Sequence, residues 1–364
     1  MSMETTMGLH EVHGSLGAVF GSVGGMECVR HYGDPGAEHG ALVGAVGVLD
    51  LGFRGRFCLT GGDRVRLLHG QVTNDVQGLG KWEGCYAAFV TNKGRMQADA
   101  FVYALAEELL VDVEPGLTAG LLTRLEHYIV ADDVQCVDVS PYYGLLSVQG
   151  PRSEGVLNRL GLTVPTRLLG VNAVKDGGFG ELYVMANPRT GAAGYDLFVP
   201  LEAQAMILDK AVAAAREEGG RLVGWEAFEL ARMEAGIPRF GADMDETNLP
   251  PEAGIEKRAV SYAKGCYIGQ EVIARIRTYG QVAKALRGLR ISGGDGAVPI
   301  RGDRLVREGR EVGTITSAAR SPGLGGAVIA LGYVRRECNS EGTELEVRSA
   351  VEGMTARIVR VPFC

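Results

Sequence analysis

The chain has 364 residues. At about 100–200 residues per domain that is room for two or three domains, and for a core that needs no staples. Hydrophobic residues make up 46% and charged residues 22%, an ordinary globular composition that excludes disorder as the main state. Lys and Arg total 37 against 44 Asp and Glu, a net charge of −7, so the chain as a whole lacks the basic footprint of a nucleic-acid binder. Its 54 glycines are roughly double the usual share and follow no collagen period. They read as turns and helix ends of a loop-rich α+β protein, or as compositional bias.

Seven cysteines, Cys28, Cys58, Cys85, Cys136, Cys266, Cys338 and Cys364, are widely spaced with no CxxC. That argues against a disulfide framework and a zinc ribbon, and for a reducing compartment. The six histidines all precede residue 128 and none forms HExxH. His10 and His13 lie near the terminus, and no metal site is expected there. The longest uncharged stretch without His, 321–334, is broken by Pro322 and glycines and is too short to span a bilayer. The start, MSMETTMGLHEVHG, has no basic segment followed by an apolar one, so a cytoplasmic location is expected.

Residues up to about 50 are Gly-rich and ambiguous. Residues 53–59 read as a strand. Asp63 is a candidate N-cap for a short helix with Val65, Leu67 and Leu68 inward. Three strands are expected at 86–91, 97–105 and 109–113, with Asn92, Lys93 and Gly94 in the first turn. Pro115 opens a helix whose Leu117, Leu121, Leu125 and Tyr128 form an apolar stripe. Residues 53–139 thus suggest a split βαβ, ferredoxin-like unit. A strand at 145–149, a helix at 153–160, strands at 181–186 and 195–199 and a helix at 201–218 follow. Another helix, 223–235, is closed by Gly236 and Pro238. From about 288 short strands alternate with Gly and charged turns, the pattern of a small β-barrel. There is no GxxxxGK[ST], which disfavours P-loop chemistry.

The segment Lys264-Gly265-Cys266-Tyr267-Ile268-Gly269-Gln270-Glu271 stands out. Val272, Ile273 and Ile276 fall at helical spacing, and Gly280 can end that helix. Cys266 then precedes a helix N-terminus, where free N–H groups and the dipole favour a thiolate, with Lys264 nearby. The alternative is a small residue on a tight turn. Residues 254–290 carry eight Lys or Arg and two Glu, against two Arg and seven acids in 226–253. The basic stretch could hold an anionic ligand or an RNA phosphate, or be a solvated helix face.

KGCYIGQE resembles the signature of the YgfZ-type folate-binding proteins, of the same superfamily as the T-protein (aminomethyltransferase) of the glycine cleavage system. LLHGQVTNDVQGL, TNKGRMQADAFVY and ELARMEAGIPRFGADMDETNLPPEAGIE resemble further blocks of that superfamily. The resemblance implies a three-domain α+β fold around a central folate pocket. Its parts would be 1–52 with 140–283, a ferredoxin-like domain at 53–139, and a β-barrel at 284–364. It implies tetrahydrofolate as ligand and assistance to iron–sulfur proteins, or one-carbon transfer. A monomer with folate and iron–sulfur clients as partners, and neither membrane nor nucleic acid, is expected.

By the same resemblance Arg232 matches a pocket arginine, with a surface arginine as the alternative, and Phe240 an aromatic against the ligand, with a core phenylalanine as the alternative. Asn92, Arg95 and Asp99 lie in the hairpin block, and Thr190 lies in the block where the T-protein reads Gly-Tyr-Thr-Gly-Glu. Here that block is Pro188-Arg189-Thr190-Gly191-Ala192, without the carboxylate expected to read the pterin edge. The hairpin's Asp pair is Ala98-Asp99, and its second Gly is Arg95. Asp196 or Asp99 could replace the missing partner, because a buried pterin needs its polar edge paired. Cys266, Lys264 and Asp99 are the candidate catalytic residues. The leading reading is therefore iron–sulfur support, without turnover in a T-protein assay. A folate-dependent aminomethyl- or methyltransferase comes second, and a tRNA-modification partner third.

Overall fold

The computed structural model describes residues 8–176, 178, 180–280 and 282–363. Cys364 and residues 1–7 lie outside them. The chain forms two compact units, residues 1–87 with 98–231, and residues 88–97 with 232–364. The three segments expected from sequence divide the chain differently.

The first unit holds a six-stranded sheet in the order Val171–Asp176, Gly180–Ala186, Gly194–Pro200, Tyr143–Gln149, Gly47–Asp50 and Arg221–Leu222. The helix Leu201–Glu217 supplies Ile207, Leu208, Ala211 and Ala215 at helical spacing. These pack with Leu146, Val148, Leu197 and Val199, which alternate along their strands. The N-terminal region, unassigned from sequence, folds as the helix His10–Ser15, the hairpin Val19–Val23 with Met26–His31, and the helix Pro35–Gly44. Asp34 caps the last of these by accepting from the Ala37 amide at 3.0 Å, with Pro35 in the first turn.

His13 is fully buried between Asp50 Oδ2 at 2.9 Å and the Tyr32 hydroxyl at 2.8 Å. It anchors the first helix to the sheet, a role its terminal position hid.

A five-stranded sheet runs in the order Gly84–Val90, Met96–Ala104, Leu109–Val113, Gly55–Thr60 and Gln135–Asp138. The helices Arg64–Gln71 and Thr118–Tyr128 connect its strands. Without the edge strand Gly84–Val90 this is the ferredoxin-like pattern. Asp63 stands before the first helix but does not cap it. Its carboxylate accepts from the Asp133 amide instead, at 2.9 Å. The second helix starts at Thr118, three residues after Pro115, and Tyr128 is exposed rather than inward.

In the second unit six strands, Lys284–Gly293, Ala327–Arg335, Arg310–Ser321, Arg304–Arg307, Glu344–Arg348 and Met354–Val359, close into a barrel in that order. Leu289, Leu305, Ile315, Ala330, Val334, Val347 and Ile358 fill its interior. Among the described residues no helix is long and apolar enough to cross a membrane.

Candidate functional site

In the first unit, strand alternation puts Asp112 and Glu114 two residues apart and on one side of the chain. Arg54 donates from Nε to Asp112 Oδ1 at 2.9 Å and from Nη1 to Glu114. Arg189 completes the group. Its Nη2 pairs with Asp112, and its Nε donates to Asp196 Oδ2 at 2.9 Å. All five residues are buried. Burial opposes the charged form of Asp112, yet Arg54 and Arg189 hold its carboxyl below the usual range. The Arg189 guanidinium also lies 5.0 Å from the Phe101 ring centre, within cation–π reach.

Asp196 is saturated. Besides Arg189 it accepts from Ser147 Oγ at 2.7 Å and Asn187 Nδ2 at 3.0 Å. It serves as the counter-ion of Arg189 rather than as an open reader of a pterin edge. Thr190, next after Arg189 in the chain, is buried, and its hydroxyl has no hydrogen-bond partner among the described residues.

Asp99 is the chemically distinctive group of this unit. It is buried on the strand Met96–Ala104 and accepts from the Tyr86 hydroxyl at 2.6 Å. Burial, then the charge of Glu114, pushes its carboxyl up to about 6, against the pull of Tyr86 and Arg54. A carboxyl at that value exchanges a proton near neutral pH.

The second unit holds the other candidates. Arg232 lies at the end of the helix Trp225–Glu234. Its backbone carbonyl accepts from the Ile237 amide at 2.9 Å, while Gly236, at φ +69°, donates to Met233. That is a Schellman end. Arg232 is buried, and its guanidinium pairs with Asp243. Asp243 also accepts from Thr316 Oγ1 at 2.7 Å and Ser317 Oγ at 2.6 Å. Arg232 is therefore not a surface arginine, and within its unit it holds the loop after its helix. Phe240 is buried and bridges to Met244.

Asn92 is exposed in the hairpin turn, where Gly94 takes φ +70°. Arg95 donates to the Thr247 carbonyl and lies 3.6 Å from Glu252. The same loop's Asn248 carbonyl accepts from the Met96 amide at 2.9 Å. Hairpin and loop thus form one assembly.

Cys266 is exposed. The helix after it runs Gln270–Tyr279, with Gly269 as N-cap. Cys266 is four residues ahead of that start, outside the first turn where the dipole acts. The Lys264 side chain is buried, with Nζ 4.9 Å from the Tyr267 ring centre. The expected helix-terminus setting of Cys266 is thereby corrected.

Sequence reasoning missed Tyr86, Arg54, Asp112 and Glu114, and treated Arg189 only as a departure. The alternation VDVE was the available signal for Asp112 and Glu114.

Comparison with known proteins agrees with this architecture. The family model "GCVT N-terminal domain" matches residues 9–264, and "Glycine cleavage T-protein C-terminal barrel domain" matches 284–364. An aminomethyltransferase of Rubrobacter xylanophilus is 30% identical over 98% of this chain and 93% of its own. That of Shouchella clausii is 30% identical over 98% and 96%. The crystal structure of glycine cleavage system aminomethyltransferase T from Bartonella henselae superposes with a TM-score of 0.89 at 21% identity, over 99% of this chain and 98% of that one. It shares the fold. These relatives are aminomethyltransferases rather than YgfZ-type proteins, so the branch expected from KGCYIGQE gives way to the broader group. The chain belongs to the glycine cleavage T-protein family, a folate-dependent family with this two-part sequence organisation.

Proposed function

We propose that the protein is a tetrahydrofolate-dependent one-carbon transferase of the aminomethyltransferase class, with Asp99 as its proton-handling group. One observation carries this reading. Asp99 is a buried carboxyl held at about 6, beside a phenolic donor. Such a group holds a proton in a water-poor site and releases it near neutral pH. Ala98 replaces the first acid of the family pair, so Asp99 carries the proton work without a carboxylate at the preceding position.

A polar heteroaromatic ligand would meet unanswered polar groups in the first unit. The Thr190 hydroxyl is buried without a partner among the described residues, and a buried unpaired polar group costs about 1–3 kcal/mol. A ligand edge would relieve that cost. Asp99 presents a carboxyl that donates when protonated and accepts when ionised. Tetrahydrofolate supplies, when bound, the amine nitrogens that accept the one-carbon unit. Asp196 and Arg189 would act behind this edge, fixing the strand and the Phe101 ring.

The test is ammonia release from an aminomethylated carrier with the purified full chain and tetrahydrofolate. Turnover that falls at least a hundredfold in Asp99→Asn supports the reading, the usual scale for a general acid–base group being about 10²–10⁴-fold. Turnover unchanged in Asp99→Asn overturns it.

A second reading, a folate-binding protein that supports iron–sulfur assembly, rests on the exposed Cys266 within KGCYIGQE. It predicts folate binding without ammonia release, and loss of complementation in Cys266→Ser.

A further inference from the structure

The second unit contains a cavity of about 340 Å³ beside the barrel, lined in part by Asp245, Lys284, Arg301, Thr314, Tyr333 and Arg335. It is roughly ten water volumes, on about 30 Å³ per water. Two further acids line it, and both are spent. Asp243 is paired with Arg232, and Glu311 with Arg304 at 2.9 Å. Against Lys284, Arg301 and Arg335 this leaves Asp245. Burial opposes its ionised form, but the Thr247 hydroxyl and amide, then Lys284 and Arg301, hold it below the usual carboxylate range. The lining itself holds three cations and three acids, and the pairing of two of those acids with Arg232 and Arg304 outside it leaves Lys284, Arg301 and Arg335 facing a single acid without an arginine partner, Asp245.

A second observation points the same way. Tyr333 is buried, and its hydroxyl has no hydrogen-bond partner among the described residues. Lys284 Nζ stands 4.6 Å from its ring centre. Burial, then Asp243, Glu252 and Asp245, raises the phenol far above its ordinary value. It stays protonated and can donate to an anion.

The cavity's rim is built rather than loose. Thr247 donates to Asp245 from its hydroxyl at 2.6 Å and its amide at 2.8 Å. Asn248 Oδ1 accepts from the Asp245 amide at 3.0 Å. Arg301 is tied to the Gly241 carbonyl at 2.6 Å.

We propose that this cavity binds a small dianion through its carboxylate or phosphate oxygens, with Lys284 and Arg335 as counter-charges and Tyr333 as a neutral donor. The proposal is independent of the folate reading.

It is tested by calorimetry on the full chain without folate, at low salt, titrating inorganic phosphate in one arm and succinate in the other. The expected result is one-to-one saturable binding at millimolar concentration in at least one arm, weakened by added salt. The arm that binds identifies the oxyanion. Arg335→Ala, at an exposed position, should weaken binding about tenfold, the scale of one charge-assisted hydrogen bond. Tyr333→Phe should weaken binding and raise the melting temperature of the ligand-free protein, because an unpaired buried hydroxyl is removed. Absence of saturable binding in both arms overturns the proposal. So does binding that Arg335→Ala and Tyr333→Phe leave unchanged. Neither outcome bears on turnover with tetrahydrofolate, since none is present.

Discussion

Tyr86 donates its hydroxyl hydrogen to Asp99 Oδ2 at 2.6 Å. The bond stabilises the ionised carboxylate, while burial and Glu114 destabilise it. The carboxyl settles at about 6 because burial wins. Removing the donor in Tyr86→Phe therefore moves Asp99 further up. The acid limb of kcat/KM against pH should lie near 6 in the parent and shift to higher pH in Tyr86→Phe. A limb that stays put would separate Asp99 from the rate.

The same shift has a signed consequence for stability. The folded protein holds the Asp99 proton up to about 6, whereas the unfolded chain releases it near 3.8. Between those values the folded state binds more protons, so this carboxyl's contribution to stability falls as pH rises through the window. Asp99→Asn removes that fall. Above pH 6 the Asn variant should melt higher than the parent, and the two should converge near pH 4. Urea midpoints across this range check it.

Arg189 stands where the T-protein block carries tyrosine, and the structure gives it two buried carboxylates, Asp112 and Asp196. Arg189→Met would leave both without that cation. Breaking one side of a buried ion pair costs about 3–5 kcal/mol, and urea unfolding should show a loss of that size. A double variant, Arg189→Met with Asp196→Asn, should recover part of it. Asp112 sets the sign at low pH. Its folded carboxyl lies below the ordinary value, so its contribution is present above about 4 and lost as pH falls.

His13 joins Asp50 and Tyr32 with both ring nitrogens. His13→Ala takes this partner from the Tyr32 hydroxyl, at about 1–3 kcal/mol for a buried polar group, while Asp50 keeps the Gly52 amide at 2.7 Å. Hydrogen exchange should then rise first in the helix His10–Ser15, with the barrel unchanged.

The barrel and the ferredoxin-like sheet were legible because short alternating strands and Gly-rich turns repeat locally. The strand Leu109–Val113 matches its expected bounds, and most others differ by one or two residues. Partners far apart in sequence were not legible. Nothing near Arg232 says that its charge is answered by Asp243 and that its guanidinium donates to Ser317 Oγ across 85 residues. Nothing near His13 announces Asp50. Asp63 has the residue type of an N-cap, but tertiary contact with the Asp133 amide takes its carboxylate. The basic character of residues 254–290 was visible, whereas the cavity at Lys284 required the barrel to close.

The octapeptide KGCYIGQE drew attention to Cys266, and the structure gives one of its glycines an independent reason. Gly269 has φ +81° as the N-cap of Gln270–Tyr279, a conformation that costs an L-residue about 1–2 kcal/mol. A Cβ there would stand 2.4 Å from the Thr91 carbonyl oxygen and 3.2 Å from Gly94 Cα. Both atoms are backbone, so no side chain can swing aside. Gly269→Ala should therefore cost more than about 2 kcal/mol, the conformational term plus the clash. The control is Gly280→Ala at the other end of the helix. Its φ of −165° is ordinary extended backbone, and the nearest atom to an added Cβ is Ile276 O at 3.8 Å. That variant should stay within about 0.5 kcal/mol of the parent. Urea unfolding of both decides whether the hairpin and helix depend on this approach. Iodoacetamide labelling of the Gly269→Ala variant adds the chemical half. In the parent, exposed Cys266 should alkylate well before Cys58, whose thiol is buried and pushed far up by burial and then by Glu108. If Gly269→Ala unfolds like the control and leaves that order unchanged, the glycine is not what sets the turn that presents Cys266.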